Sequence, residues 1–152
     1  MRIVAALALT ATLARAAAAA GAREREPAAW PVPPDLLTRY EQSGGTETPR
    51  HAETVAYCRR LAAASPWLAY TTFGTSPQGR ELPLLIADRA GLCTPQQARA
   101  AGRAVVLIQA CIHAGEPDGK DAGLLLLREI AVAGRLAPLL DGVTVLFIPI
   151  FN

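Results

Sequence analysis

Two side chains with the chemistry of metal ligands, His113 and Glu116, lie three residues apart in the segment CIHAGEPDGK. Imidazole and carboxylate are both good ligands for Zn²⁺, and a catalytic zinc site takes three protein ligands while one position stays open for water. Gly115 lies between them and would let the backbone bend so that both side chains aim at one point. An isolated His-x-x-Glu pattern is common by chance. Its alternative interpretation is a solvated loop with a helix-capping glutamate.

The segments on either side of this pair predict a strand, a turn and a helix. Residues 105–112 are almost continuously apolar and rich in β-branched side chains, which is typical of a strand buried on both faces of a mostly parallel sheet. Pro117 suits a first helical position, and apolar residues then recur at helical spacing as far as Gly134. His113 and Glu116 therefore lie where the chain leaves the carboxyl end of a strand, the edge of an α/β sheet at which ligands usually bind.

The other segments complete an α/β domain. A helix is expected between Thr48 and Pro66, a β-hairpin from residues 68–75 and 81–88, and a last strand over residues 143–151. The last strand is apolar on both faces, so we expect it in the interior of the sheet and parallel to the strand before His113. The predicted fold class is α/β, with a mixed, mainly parallel sheet and flanking helices. Four strands leave at least one apolar strand without cover, so we expect the fold to be incomplete at the C-terminus.

The N-terminal 20 residues predict a secretory signal. Arg2 gives a positive start, residues 3–13 form a short apolar run, and alanines at 16–20 offer cleavage sites. The apolar run is far shorter than the roughly 20 residues of a membrane span. We therefore expect a secreted or periplasmic protein with no stable membrane anchor after cleavage. Residues 21–47 are expected to be a flexible lead-in because they contain the proline-rich PAAWPVPP, and residues 48–152 to be the folded domain.

Charge and cysteine content narrow the possible partners. The chain has 15 Lys+Arg and 13 Asp+Glu, and removal of residues 1–20 takes away Arg2 and Arg15, which leaves 13 of each sign. A neutral chain without a basic stripe predicts no nucleic acid partner. Its three cysteines are too far apart for a paired-cysteine zinc site, and an odd number excludes complete disulfide pairing.

Three blocks of sequence together resemble the zinc carboxypeptidase family of the carboxypeptidase A type, particularly its bacterial secreted members. HAGEPDGKDAGLLLLREI is similar to the family's metal-binding segment, FGTSPQGRELPLLIA to the preceding hairpin, and IPIFN to the strand that leads into an Asn-Pro-Asp-Gly turn. The resemblance covers roughly residues 48–152. It implies that His113 and Glu116 are the first two ligands of a His₂Glu zinc site.

The resemblance also implies an activity, which is hydrolysis of the C-terminal residue of a peptide. In such an enzyme zinc activates a water molecule and polarises the scissile carbonyl, a glutamate is the general base, and arginines hold the oxyanion and the substrate carboxylate. In family order the third ligand, the arginines and that glutamate all come after Asn152. The resemblance therefore implies no catalytic residue within this chain, which alone would be inactive. Gly115 stands where many members carry an arginine, so we do not expect the contact that this arginine would make to longer substrates.

Several alternatives remain at this stage. Asp118 and Asp121 could orient His113 through hydrogen bonds, or they are solvated acids that favour the helix dipole. His51 could be a third ligand, although an exposed histidine on a helix is the simpler interpretation. The protein could also be a related zinc acylase or deacylase. From a different class, it could be a non-catalytic remnant or binding domain on the same scaffold.

Overall fold

The computed structural model describes residues 32–152. The predicted signal and residues 21–31 of the lead-in lie outside the described residues. Four α-helices are present in the described part of the chain: α1 Arg39–Gln42, α2 His51–Ala64, α3 Pro95–Ala100 and α4 Asp118–Ala131. Short 3₁₀ helices span Pro34–Leu36 and Ala137–Leu140. The four strands are β1 Leu68–Thr75, β2 Glu81–Ala87, β3 Ala104–Gln109 and β4 Val143–Ile148.

The strands form one mixed sheet in the order β1-β2-β4-β3. β1 and β2 form the predicted hairpin, β4 is interior, and β3 and β4 pair in parallel through α4, as predicted. The mixed α/β class is therefore confirmed. The expectation that parallel pairs predominate is not met in residues 32–152, because β2 runs antiparallel to both β1 and β4 and leaves one parallel pair of three.

Strand β3 is the exposed edge of this sheet. Val105 and Leu107 are 57% and 53% exposed, and Val106 between them is 45% exposed. The prediction that this strand is buried on both faces is therefore wrong for the described residues. An apolar strand needs a neighbour on each side and a layer on each face, and residues 32–152 give β3 only β4 as a pairing partner. The expectation that one apolar strand lacks cover is confirmed at β3.

Helix α4 packs against the sheet at close range. Gly123 lies over the ring of Phe147 in β4, and a Cβ atom on Gly123 would stand 2.2 Å from that ring. Only a residue without a Cβ atom permits this approach, because side chains in a core are already close-packed. The predicted apolar face of α4 is buried and consists of Leu124, Leu127, Ile130 and Ala131.

Helix α2 covers the hairpin with a buried apolar face. Val55, Cys58 and Leu61 are buried. The helix begins two residues later than the predicted boundary at Pro49, because Arg50 is the N-cap and its backbone N–H donates to the Glu53 carboxylate at 2.9 Å.

The described part of the predicted lead-in packs against the core. Leu36 is 3% exposed, and Thr38 and Glu41 form a capping box that starts α1. Arg128 of α4 donates to the Leu36 carbonyl at 3.1 Å and to the Glu41 carboxylate. Residues 32–47 thus differ from the flexible lead-in that composition predicts, because long-range bonds fix them. In residues 32–152, no helix combines the length and apolar character needed to cross a membrane.

Candidate metal site and its cleft

The turn that carries His113 and Glu116 begins at a strained position and is tied down by the end of β4. The Ala110 N–H donates to the Ile148 carbonyl at 2.9 Å and continues the parallel ladder one residue past β3. Cys111 then has a φ of 46°, an uncommon conformation for a residue with a side chain. The N–H groups of Phe151 and Asn152 donate to the carbonyls of Ala110 and Cys111 at 3.1 and 3.2 Å. The chain is therefore fixed immediately before the turn.

His113 and Glu116 lie on one exposed turn, closed by the Glu116 N–H donating to the His113 carbonyl at 3.0 Å. Within residues 32–152 neither side chain has a hydrogen-bond or ion-pair partner. An imidazole and a carboxylate free of protein partners suit Zn²⁺ chemically. No group of three His, Cys, Asp or Glu side chains in the described chain is arranged to hold a metal ion. The turn therefore offers two possible zinc ligands, whereas a catalytic zinc site takes three from the protein.

The bend does not depend on Gly115, contrary to the sequence interpretation. Gly115 has no positive φ, and a Cβ atom built on it would meet nothing within 4 Å. The unusual backbone angle is at Cys111, two residues before His113. No composition rule marks Cys111 for this role, because asparagine, aspartate and glycine are the residues usually found at positive φ.

The two aspartates after the turn have different surroundings. Asp118, the first residue of α4, is exposed. Asp121 is 8% exposed, and its Oδ1 accepts a hydrogen bond from Lys120 at 2.5 Å. In the described structure neither carboxylate forms a hydrogen bond or ion pair with His113, so their role in orienting His113 stays a prediction.

Lys120 is the polar residue that sequence reasoning missed. It is the only lysine of the chain and is 3% exposed, and its Nζ also donates to Thr48 Oγ1 at 2.6 Å. A buried charge needs a counter-charge and hydrogen bonds, which Asp121 and Thr48 supply. This bond ties the first turns of α4 to the segment before α2. The only sequence feature that could have indicated this buried ion pair is the position of the single lysine between two aspartates.

His51 is half-buried and is not an exposed surface histidine. Its Nε2 lies 2.8 Å from the Glu81 carbonyl oxygen, and because a carbonyl only accepts, Nε2 must carry the proton. Glu81 is in turn paired with Arg59 at 2.8 Å. The Nε2 atom of His51 is therefore engaged in positioning the start of α2 against β2.

A cleft of about 780 Å³ opens beside the turn. Its walls are residues 48–51 before and at the start of α2, residues 76–78 with Arg80 in the hairpin turn, and Ala114 and Gly115 of the His113–Glu116 turn. Lys120 also lines it. This size is within the range of small-molecule sites, roughly 300–1,000 Å³.

Comparisons with known proteins relate the chain to one family. The family model for zinc carboxypeptidases matches residues 54–152. Carboxypeptidase 2 of Trichophyton rubrum is 31% identical over 113 residues, which are 72% of this chain and 21% of that protein. The crystal structure of carboxypeptidase A from Helicoverpa armigera superposes with a TM-score of 0.59 at 21% identity and covers 68% of this chain and 24% of that one. The chain thus spans between a fifth and a quarter of the length of these relatives.

Proposed function

The chain belongs to the zinc carboxypeptidase family, and from that premise we propose that it forms the part of a metallocarboxypeptidase domain that holds the first two zinc ligands, His113 and Glu116. The observation that supports this role most strongly is that two side chains suited to bind zinc lie without protein partners on one exposed turn at the carboxyl end of β3. The proposed substrate is a peptide, whose C-terminal residue is hydrolysed.

The chain's own residues would hold this turn in place. Backbone bonds from Phe151 and Asn152 fix its beginning, and the Lys120 contacts with Thr48 and Asp121 fix the helix that follows it. A turn held at both ends presents ligands with little ordering cost, which is what a metal site requires. Bound zinc would polarise the scissile carbonyl and lower the pKa of its water.

The third ligand is proposed to come from outside residues 32–152, because no group of three suitable side chains exists within them. We assign no proton-transfer step to the described residues. In the described residues the His51 Nε2–H donates a hydrogen bond to the backbone carbonyl of Glu81, which disfavours His51 as the missing ligand through that atom.

The test is hydrolysis by the chain extended to the length of its carboxypeptidase relatives. We expect release of C-terminal residues from peptides with free carboxylates, and loss of that release in His113→Ala and Glu116→Gln. Asp35→Asn, an exposed carboxylate in the 3₁₀ helix Pro34–Leu36, is the matched control and should stay active. Hydrolysis of N-acyl amino acids without peptide cleavage would instead identify an acylase, and zinc binding without any hydrolysis would identify a non-catalytic domain.

We also propose that the protein is exported by its N-terminal segment. The support is the order Arg2, short apolar run and alanines in residues 1–20. N-terminal sequencing of the protein from the producing cells should show cleavage near residue 20 in the exported fraction. Recovery of the intact N-terminus inside the cell alone would contradict export.

A further inference from the structure

The cleft beside the His113–Glu116 turn is lined by basic residues and by no acidic one. Arg50 and His51 form one wall, Arg80 lies in the hairpin turn, and Lys120 lines it from α4. No aspartate or glutamate is among its lining residues. A cleft with one sign of charge concentrates ligands of the other sign.

Of the carboxylates near this cleft in sequence, Glu116 and Asp118 are exposed and do not line it, and three others are already engaged. Asp121 accepts from Lys120, and Glu81 is paired with Arg59. Glu53 accepts from the backbone N–H of Arg50 as a helix cap, not from its guanidinium. Within residues 32–152, neither the Arg50 nor the Arg80 guanidinium forms an ion pair. The two guanidinium groups are thus available to an anion from outside.

Lys120 adds a hydrogen-bond donor that is already desolvated. An ammonium group has three donors, and the described structure uses two of them, on Thr48 and Asp121. Because Asp121 balances its charge, Lys120 contributes a donor to the cleft and not a net charge. The unbalanced positive charge of the cleft comes from Arg50 and Arg80.

We propose that this cleft is a subsite for an acidic side chain of the peptide, located upstream of the C-terminal residue that is removed. This proposal rests on the proposed function, since it places a peptide across the His113–Glu116 turn. Arginine suits this task because its planar guanidinium can bind a carboxylate through two parallel hydrogen bonds. A volume of about 780 Å³ exceeds the needs of a single side chain and leaves room for several residues of an extended peptide. The substrate class would be peptides with Asp or Glu before their C-terminal residue.

Binding to the metal-free 152-residue chain tests the subsite without any hydrolysis, so a failure here leaves the proposed function intact. The probes are acetyl-Ala-Glu-Glu-Ala-amide and acetyl-Ala-Gln-Gln-Ala-amide, whose blocked ends leave the glutamates as the only anions. NMR chemical shifts at low salt should show the glutamate peptide binding about tenfold more tightly, with shifts at residues 48–51 and at Arg80. Added salt should weaken this binding because exposed charges are screened.

Variants assign the binding to the cleft. Arg50→Gln and Arg80→Gln should each weaken the glutamate peptide about two- to fivefold, the usual size for partly exposed ion pairs. Arg80→Lys should retain part of the affinity. Arg99→Gln, an exposed arginine on α3 outside the cleft, is the matched control and should leave it unchanged. Circular dichroism checks that each variant folds.

Three results would overturn the subsite. One is equal binding, or no binding, of the two peptides. A second is an equal loss of affinity in the Arg99 control. The third is complete displacement of the glutamate peptide by inorganic phosphate at the same concentration, which would make the cleft a general anion trap and not a peptide subsite.

Discussion

The sheet has two edges that are formed by the ends of its strands, and these two edges use their polar side chains in opposite ways. At the edge where β2 ends and β3 and β4 begin, which we call the closed edge, Asp88 is completely buried. It accepts from the Ala90 N–H at 2.8 Å and from Thr144 Oγ1 at 2.5 Å, and it pairs with Arg103. At the edge that carries residues 112–116, which we call the open edge, His113 and Glu116 are exposed. Neither has a partner in the described structure.

This difference separates the parts of the chain that stabilise the fold from those that are free to bind. A buried carboxylate with several donors contributes to folding only while its partners are present. Exposed side chains without partners, such as His113 and Glu116, contribute little to stability and can bind a metal ion without first breaking other contacts. We therefore expect substitutions at the closed edge to change the free energy of unfolding, and substitutions at the open edge to change binding.

The largest effect should follow from Asp88→Ala. This change leaves the Arg103 guanidinium and the Thr144 hydroxyl without their acceptor, and breaking a buried pair typically costs about 3–5 kcal/mol. Because the Arg103 side chain is 16% exposed, we expect about 3 kcal/mol of lost unfolding free energy, measured by urea denaturation. Asp118→Ala at the open edge should cost less than about 1 kcal/mol. Equal losses in the two variants would remove the distinction between the edges.

A pair of glycines gives the next largest contrast. In Gly123→Ala the new methyl group would overlap the buried Phe147 ring, and overpacking costs about 1–3 kcal/mol. Alanine is favoured over glycine in a helix by about 1 kcal/mol, so we expect a net loss of up to about 2 kcal/mol. Gly115→Ala on the open edge meets nothing within 4 Å and should be neutral within about 0.5 kcal/mol. Thermal unfolding of both variants measures the difference, and a stabilised Gly123→Ala would contradict the close packing of α4.

The smallest effect should be a loss of stability in acid that arises at Glu41, which is bonded to Arg128 and lies outside the open edge. Burial alone would raise the pKa of Glu41, but hydrogen bonds from Arg128 and Thr38 outweigh it and lower the pKa below 4.5. The unfolded chain therefore binds a proton more readily, so the stabilisation is complete above about pH 4.5 and is lost as the pH falls through the folded pKa. The fall in unfolding free energy between pH 5 and 3 should be smaller in Glu41→Gln than in the parent chain. An unchanged slope would show that this carboxylate does not couple to folding.

The elements whose signals are local could be predicted from the sequence. The hairpin has a proline and glycine turn between two β-rich runs, and α4 has apolar residues at helical spacing followed by Gly134, whose φ is 70°. The same local patterns placed His113 and Glu116 on one turn at the end of a strand.

The features that sequence analysis missed depend on partners far away in the chain. Arg128 fixes Leu36 across 92 residues, and Lys120 contacts Thr48 across 72. No periodicity encodes such pairs, so residues 32–47 resembled a flexible lead-in. The exposure of β3 was missed for a related reason. An apolar run indicates that a strand has to be buried against other segments, but it does not indicate which segments those are.

The most direct test of the central claim is a zinc titration of the 152-residue chain at neutral pH, followed by NMR at His113 and Glu116. Two ligands bind zinc weakly. We therefore predict no stoichiometric zinc after dialysis, but coupled shifts of both residues at excess zinc, abolished in His113→Ala and in Glu116→Gln and kept in His51→Ala. Tight one-to-one zinc binding, or shifts of His113 that persist in Glu116→Gln, would contradict a metal ion shared by these two side chains.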